Sequence, residues 1–396
     1  MDFSTIKELC AKAVSQEELT AIRREFHMYP EVSHHEHQTM ARIASYLEKW
    51  DIPFTSGVAE TGIVAHLQGN RPGKNIALRA DIDALPVQEK NTDLPYCSRN
   101  DGAMHACGHD AHTTILLGAA KTLRSLNGDF PGSFTFLFQP DEEDTGGAQR
   151  MIAEGCLENP HVDHVIGLHV HPVIPAGTVG IKYDKCYACS DMFILKISGK
   201  SSHGASPEDG IDAIVMAAQI ISAAQTIVSR NTAPTNSAVI TFGTIKGGSV
   251  RNQIAEYVEC HGIIRTLDPV TRDFTCDTLQ KVASGIAASM GGSAVIEYTR
   301  SYDPLINDNA VTDVVRGVAE RQLGSENVVL ESVPQLGVED FAYYAMERPS
   351  CFYHLGCALQ DRPQAPLHNS AFDLDENCLS VGVQLQVGSA LELAKV

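Results

Sequence analysis

The sequence predicts an α/β protein of two domains, a central sheet flanked by helices and an inserted ferredoxin-like α+β satellite. Three observations carry that reading. Helical and strand patterns alternate through the first part of the chain, which argues for a layered domain with helices on both sheet faces. Between Asp191 and Thr299 the succession becomes strand, helix, strand, strand, helix, strand, the ferredoxin-like order. Afterwards α/β patterning resumes, with Asp340 and His368 placed like site residues, so the middle unit reads as an insertion. A chain of 396 residues is also too long for one compact core. The predicted divisions are 1–187 for the first part of the larger domain, 188–301 for the satellite and 302–396 for the return.

In chain order, Leu19, Ile22 and Phe26 line one face of a helix from Glu17 to His27, stopped by Pro30. A second helix covers His37 to Trp50, and short apolar strands follow at Gly62–Leu67 and Ile76–Arg79. A helix starting near His109 carries Ile115, Leu116 and Ala119 to about Leu126. The apolar run Ser133–Gln139 reads as a strand ended by Pro140, and Val165–Leu168 as another. The satellite comprises strand Met192–Ser198, helix Asp209–Ser229, strands Ala238–Ile245 and Ala255–Arg265, helix Val270–Met290 and strand Ala294–Thr299.

With 30 basic and 49 acidic residues the formal charge is −19, which repels nucleic acid and anionic membranes and leaves small molecules as the expected partners. No apolar run reaches the roughly eighteen residues of a membrane span, and Met1-Asp-Phe-Ser-Thr-Ile-Lys7 lacks a basic-then-apolar leader, so a cytoplasmic protein is expected. Eleven cysteines, an odd number without disulfide spacing, fit a reducing compartment. Cys186-Tyr-Ala-Cys189 has C-x-x-C spacing, but no second pair accompanies it, and it reads as packing at a domain junction.

The chemistry concentrates in His105-Ala-Cys-Gly-His-Asp-Ala-His112 and Gln139-Pro-Asp-Glu-Glu143. A soft thiolate, imidazoles and paired carboxylates are the inventory of a metal hydrolase. Gly108 lets a loop aim Cys107 and His109 inward together, and Glu142-Glu143 follows a strand, where open α/β sheets place their sites. One carboxylate of such a pair can bind metal while the other moves a proton; the pattern alone does not separate them. His169, ending an apolar run, and His368, after Pro366, complete the candidate ligands Cys107, His109, Glu143, His169 and His368. The ordinary alternative for a strand-end histidine is a hydrogen-bonded loop residue. His105, His112 and His171 compete by position, with helix packing the expected job of His112; His34, His35 and His37 read as a solvated face with adventitious metal affinity. Asp141 adds a third carboxylate able to shift its neighbours. A cysteine nucleophile at Cys107 with His109 or His112 as base is a rival, but too local for the usual spatially assembled pair.

These segments resemble the metal-dependent amidohydrolases of the aminoacylase/carboxypeptidase superfamily, in the branch of hippurate hydrolases, indole-acetyl-amino-acid hydrolases and N-acetyl-diaminopimelate deacetylases. The resemblance runs nearly end to end, through Arg23-Arg-Glu-Phe-His27 with Pro30-Glu31, Ala77-Leu-Arg-Ala-Asp81-Ile-Asp83-Ala-Leu-Pro86, Met104–His112, Glu142-Glu143 and Gly167-Leu-His169-Val. It continues through Gly199-Lys-Ser-Ser-His203-Gly-Ala, Gly247-Gly-Ser-Val-Arg-Asn252, Gly337-Val-Glu-Asp340-Phe-Ala and Leu367-His368-Asn369.

The resemblance implies a catalytic domain interrupted by a lid and dimerisation satellite, and hydrolysis of N-acyl-L-amino acids of acetyl, benzoyl or aryl-acetyl type to a carboxylic acid and a free amino acid. It implies two divalent ions, zinc or manganese with cobalt or nickel as further candidates, on Cys107, His109, Glu143, His169 and His368. Cys107 takes the bridging position that the wider superfamily gives to an aspartate, Arg79 stands where that superfamily has a ligand histidine, and Asp81 orients a ligand histidine from behind. Glu142 becomes the general base. His203, usually acting on the partner subunit of a homodimer, polarises the scissile carbonyl, and Asn252 and Arg265 grip the substrate carboxylate; for Arg265 a surface salt bridge is the plain alternative. A dipeptidase or carboxypeptidase of the same superfamily, and a non-catalytic amino-acid-conjugate binding protein, are the competing functions.

Overall fold

In the computed structural model, which describes residues 3–360 and 362–395, the elements run α1 (Phe3–Ala13), α2 (Gln16–Met28), α3 (His37–Lys49), β1 (Phe54–Val58), β2 (Gly62–Gln68), β3 (Arg71–Asp81), α4 (His109–Arg124), β4 (Pro131–Gln139), α5 (Ala148–Ala153), β5 (His164–Pro175), β6 (Val179–Ile181) and β7 (Asp184–Tyr187). They continue as β8 (Cys189–Ser198), α6 (Ala213–Thr226), β9 (Ala238–Gly247), β10 (Tyr257–Thr266), α7 (Pro269–Ser289), β11 (Ser293–Arg300), β12 (Leu305–Asn307), α8 (Asn309–Leu323), β13 (Val328–Leu330), α9 (Ala342–Glu347), β14 (Ser350–Ala358) and α10 (Cys378–Leu393). The chain forms two compact units, one of Met1–Asp184, Ile306–Val333 and Asp340–Val396, the other of Lys185–Leu305 with Pro334–Glu339.

The first unit holds a large sheet flanked by helices, with strand order β1-β2-β4-β3-β5-β14-β6-β13. Its centre, β4, β3, β5 and β14, is parallel, and β1 and β2 extend it antiparallel. Parallel strands covered on both faces read as continuous apolar runs rather than alternations, and β4 and β14 are buried almost throughout. The core joins Phe134, Phe136 and Phe138 of β4 to Leu19, Ile22 and Phe26 of α2 and to Ile115 and Leu116 of α4. Buried along nearly its whole length, α4 is an internal helix whose first turn faces the sheet's carboxyl edge.

The second unit is a four-stranded antiparallel sheet, order β11-β8-β10-β9, with α6 and α7 packed on it around Phe193, Leu195, Met216, Ile220 and Leu279. Its first helix begins later than the sequence suggests. Gly210 is extended and Ile211 bridges Lys200, and Asp212 caps α6 by accepting from the Ile214 and Val215 amides. The π-helical turn Ile227–Asn231 then ends it. The helical stretch Ala213–Asn231 is long and apolar enough by composition to cross a membrane, at 19 residues and mean hydropathy 1.3. Here its apolar excess packs Ala213, Met216, Ala217, Ile220 and Ala224 onto the sheet. Cys186 and Cys189 are buried and unbridged.

Candidate metal centre

The site lies at the carboxyl ends of β3, β4 and β5 and is closed by the turn that opens α4. That turn depends on Gly108. Its φ of +87° is a left-handed conformation, and a Cβ there would come within 2.4 Å of the Val170 Cγ2 atom. Cys107 and His109, on either side, are thereby both directed into the unit. The next residue, Asp110, clamps the turn from behind: its Oδ2 lies 2.7 Å from both the Arg23 Nε, as an ion pair, and the His27 Nδ1. Arg23 and His27, one helical turn apart on α2, are thus explained by what they hold.

His109 is fixed by Asp83, whose backbone oxygen and Oδ1 lie 3.0 and 3.2 Å from Nδ1. That leaves Nε2 as a buried nitrogen without a hydrogen-bond partner among the described residues. Burial works to lower the His109 pKa, but Asp81, helped by Asp83 and Glu143, outweighs it and holds the imidazole at about 10. Those carboxylates therefore favour positive charge at Nε2. The Glu143 Oε1 is likewise buried without a hydrogen-bond partner, 3.8 Å from the His109 Nε2 and 3.4 Å from the His368 Nε2. The Cys107 Sγ lies 3.3 Å from the His169 Nε2. Burial first, then Glu143, Glu142 and Asp81, push the Cys107 thiol well above its usual range. An added cation reverses that logic, since a coordinated thiol is deprotonated outright.

Ligand-type atoms approach within 4.8 Å of one another in overlapping groups that include Cys107 with His109 and His169, Cys107 with Glu143 and His368, His109 with Glu142 and Glu143, and His109 with Asp81 and His112. The five candidate ligands and Glu142 are therefore brought together. Thiolate, imidazole and carboxylate donors, two of their atoms left without hydrogen bonds, suit divalent transition metals. His368 reaches the group on a backbone at φ +63° whose amide donates to the Ala106 oxygen at 2.8 Å.

Asp81 is engaged on both carboxylate oxygens. Its Oδ1 takes the Nδ1 of His112 at 2.6 Å and its Oδ2 the guanidinium of Arg79 at 2.7 Å, while the His109 Nε2 stands 3.7 Å away. Among the candidate ligands, His109 is oriented by Asp83, which also accepts the Glu143 amide at 3.0 Å. Sequence reasoning missed Asp83, although its place just past Asp81 in Asp81-Ile-Asp83 was the available signal. Burial raises Asp81, yet His109, His112 and Arg79 together hold it well below the usual carboxylate range. Arg79 is wholly buried between Asp81 and Asp340, each at 2.7 Å. Asp141 accepts from Arg150 at 2.7 Å and the Thr145 hydroxyl at 2.6 Å.

The other histidines separate cleanly. His105 is buried with neither ring nitrogen hydrogen-bonded among the described residues, and desolvation takes its pKa down to about 3. His171 packs against His354, ring centroids 4.9 Å apart. His34 sits 3.3 Å from Asp141 and 3.4 Å from Asp144.

In the second unit the loops of His203 and Asn252 run side by side, joined by Gly204 N–H to the Asn252 oxygen at 2.8 Å and Ile254 N–H to the Ser202 oxygen at 2.9 Å. The Ala205 amide donates to the His203 Nδ1 at 3.0 Å, so the exposed Nε2 carries the proton. Arg265 has no carboxylate partner among the described residues; its Nη1 donates to the Leu336 oxygen at 3.5 Å.

Residues 77–392, from within β3 to α10, match the model of peptidase family M20/M25/M40. The N-acetyl-L-cysteine deacetylase of Bacillus subtilis (strain 168) is 41% identical over 364 residues, covering 92% of this chain and 85% of that protein. Thermostable carboxypeptidase 1 of Saccharolobus solfataricus is 36% identical over 366 residues, covering 91% of each. Among solved structures, a Bacillus subtilis protein described as a dinuclear metal binding peptidase of the M20 family superposes with a TM-score of 0.84 at 33% identity, covering 96% of this chain and 98% of that one. With matching sequence over most of its length and a matching fold, this chain belongs to peptidase family M20/M25/M40.

Proposed function

We propose that the protein is a binuclear metal amidohydrolase that splits N-acyl-L-amino acids into a carboxylic acid and a free amino acid. The observation that carries this reading is the convergence of Cys107, His109, Glu143, His169 and His368, with Glu142 beside His109 and Glu143. Divalent ions on those five side chains would supply Lewis acidity toward the amide carbonyl. Glu142 takes the proton of the attacking water and delivers it to the departing amine. His203 offers its Nε2–H to the oxygen that gains charge. Asn252 and Arg265 hold the carboxylate of the substrate, the guanidinium through its planar fork.

The reading includes a homodimer built through the second unit. Edge strand β9 and the exposed Ile214, Val215 and Ile245 support it. A carboxypeptidase is the second reading, favoured by the carboxypeptidase relative, and both substrates present a carboxylate beyond the scissile amide.

Turnover measured across acetyl-, benzoyl- and indole-acetyl-amino acids and a set of dipeptides separates the two. Metal-loaded protein inert toward the whole panel would leave only a binding role. His109→Ala is expected to purify with at least one ion fewer than wild type by elemental analysis; equal metal in both, or a fully active metal-free wild type, would sink the ligand assignment.

Arg265→Ala is expected to weaken use of N-acyl-amino acids by about ten- to a hundredfold, because a hydrogen bond to a charged group is worth roughly 1.5–3 kcal/mol. The corresponding N-acyl-amino-acid amides, which lack that carboxylate, should be poor wild-type substrates and lose much less. Equal wild-type rates on acids and amides would return Arg265 to a surface role.

A further inference from the structure

The pairing of β3 with β5 runs in parallel from Ile76–His164 to Arg79–Gly167 and stops there. β3 itself ends at Asp81, while β5 continues to Pro175. Beyond Gly167 no strand pairs with the β3 edge of β5 among the described residues, although β14 still pairs on the other edge through His354–His169 and Leu355–Val170. Val170 is fully buried at this point, where an unpaired amide would cost about 1–3 kcal/mol. Both of its backbone groups end on imidazoles. Its N–H donates to the His112 Nε2 at 2.9 Å, and its oxygen lies 2.7 Å from the His169 Nδ1.

We propose that the His112 imidazole stands in for the missing strand and positions the candidate ligands from behind the site. This rests on the reading that His169, Cys107 and His109 hold metal. Asp81, 2.6 Å from the His112 Nδ1, keeps the proton on that nitrogen and leaves Nε2 free to accept from Val170. Val170 in turn acts in two directions. Its oxygen takes the Nδ1 proton of His169, so the lone pair at Nε2 faces Cys107. Its side chain lies under Gly108, between Cys107 and His109. The His112 ring also packs edge-on against His169, with centroids 4.6 Å apart at 72°. With both nitrogens engaged, His112 is a positioning residue and not a ligand.

Two polar replacements separate this from a merely space-filling role. His112→Gln can still present an acceptor where Nε2 stood, whereas His112→Asn reaches Asp81 but falls short of Val170. Metal affinity of folded protein is read by competition with a chromophoric chelator, and the thiolate-to-cobalt absorption of the cobalt-loaded form reports Cys107 directly. His112→Asn is expected to lose about ten- to a hundredfold in affinity, the usual effect of removing a supporting partner, with a weakened thiolate band, while His112→Gln stays near wild type. Wild-type affinity in His112→Asn, or an equal loss in both variants, overturns the inference. A wild type that binds no metal would instead sink the ligand assignment beneath it.

Discussion

Glu142→Gln retains its metal and its melting temperature but loses turnover by at least about 10², the low end of what positioned proton transfer contributes. The amide has the size and shape of the carboxylate and cannot take a proton from water. Glu142 is buried beside His109 and Glu143, so no solvent carboxylate replaces it. Single-turnover kinetics together with metal analysis check the result. Loss of metal with retained activity would show that Glu142 and Glu143 had exchanged roles. The same variant tests the dimer: mixed with His203→Ala under subunit exchange, it regains activity if His203 serves the partner's site, because one mixed site is intact. No recovery in demonstrably mixed dimers confines His203 to its own subunit.

Arg79→Ala is the second large effect, and it falls on stability. The guanidinium is wholly buried and bridges Asp81 to Asp340, and Asp340 is further held by Gln139 and the Ala148 amide. Removing the cation leaves two carboxylates in the interior without it. Stranding buried charge in this way costs about 3–5 kcal/mol. Denaturant melts of wild type and variant measure it, and a loss below about 1 kcal/mol, the range of exposed ion pairs, would mean that water already reaches the network. Asp81 also holds His112, so metal affinity should fall along with stability.

Much of this was legible in the chain. The α/β pattern, the helix beginning at His109 and the strand ending at Gln139 follow from apolar periodicity, glycine and proline, which act locally. The candidate ligands were legible as chemistry, since soft and hard donors at two turns have few other uses. What stayed hidden depends on strand order. Arg79 meets Asp340 across 261 positions of sequence, and no period encodes that encounter. Asp81 and Asp83 look equivalent in the sequence, yet one faces Arg79 and His112 and the other His109, because β3 stops between them. The late start of α6 was misread for a related reason: Asp209 and Asp212 are both plausible caps, and the bridge from Ile211 to Lys200 selects the second.

The place of β14 between β5 and β6 has a consequence for how the molecule is made. A strand in the middle of the sheet is supplied by residues 350–358, made long after its neighbour β5. Until then the nascent chain carries β5 with one edge open, and α4 lacks α10, which packs against it. At ordinary rates of synthesis that interval lasts on the order of ten seconds or more. The first unit therefore cannot close before β14 is made, and the wait for it, with a parallel edge unpaired, is its period of greatest exposure to aggregation.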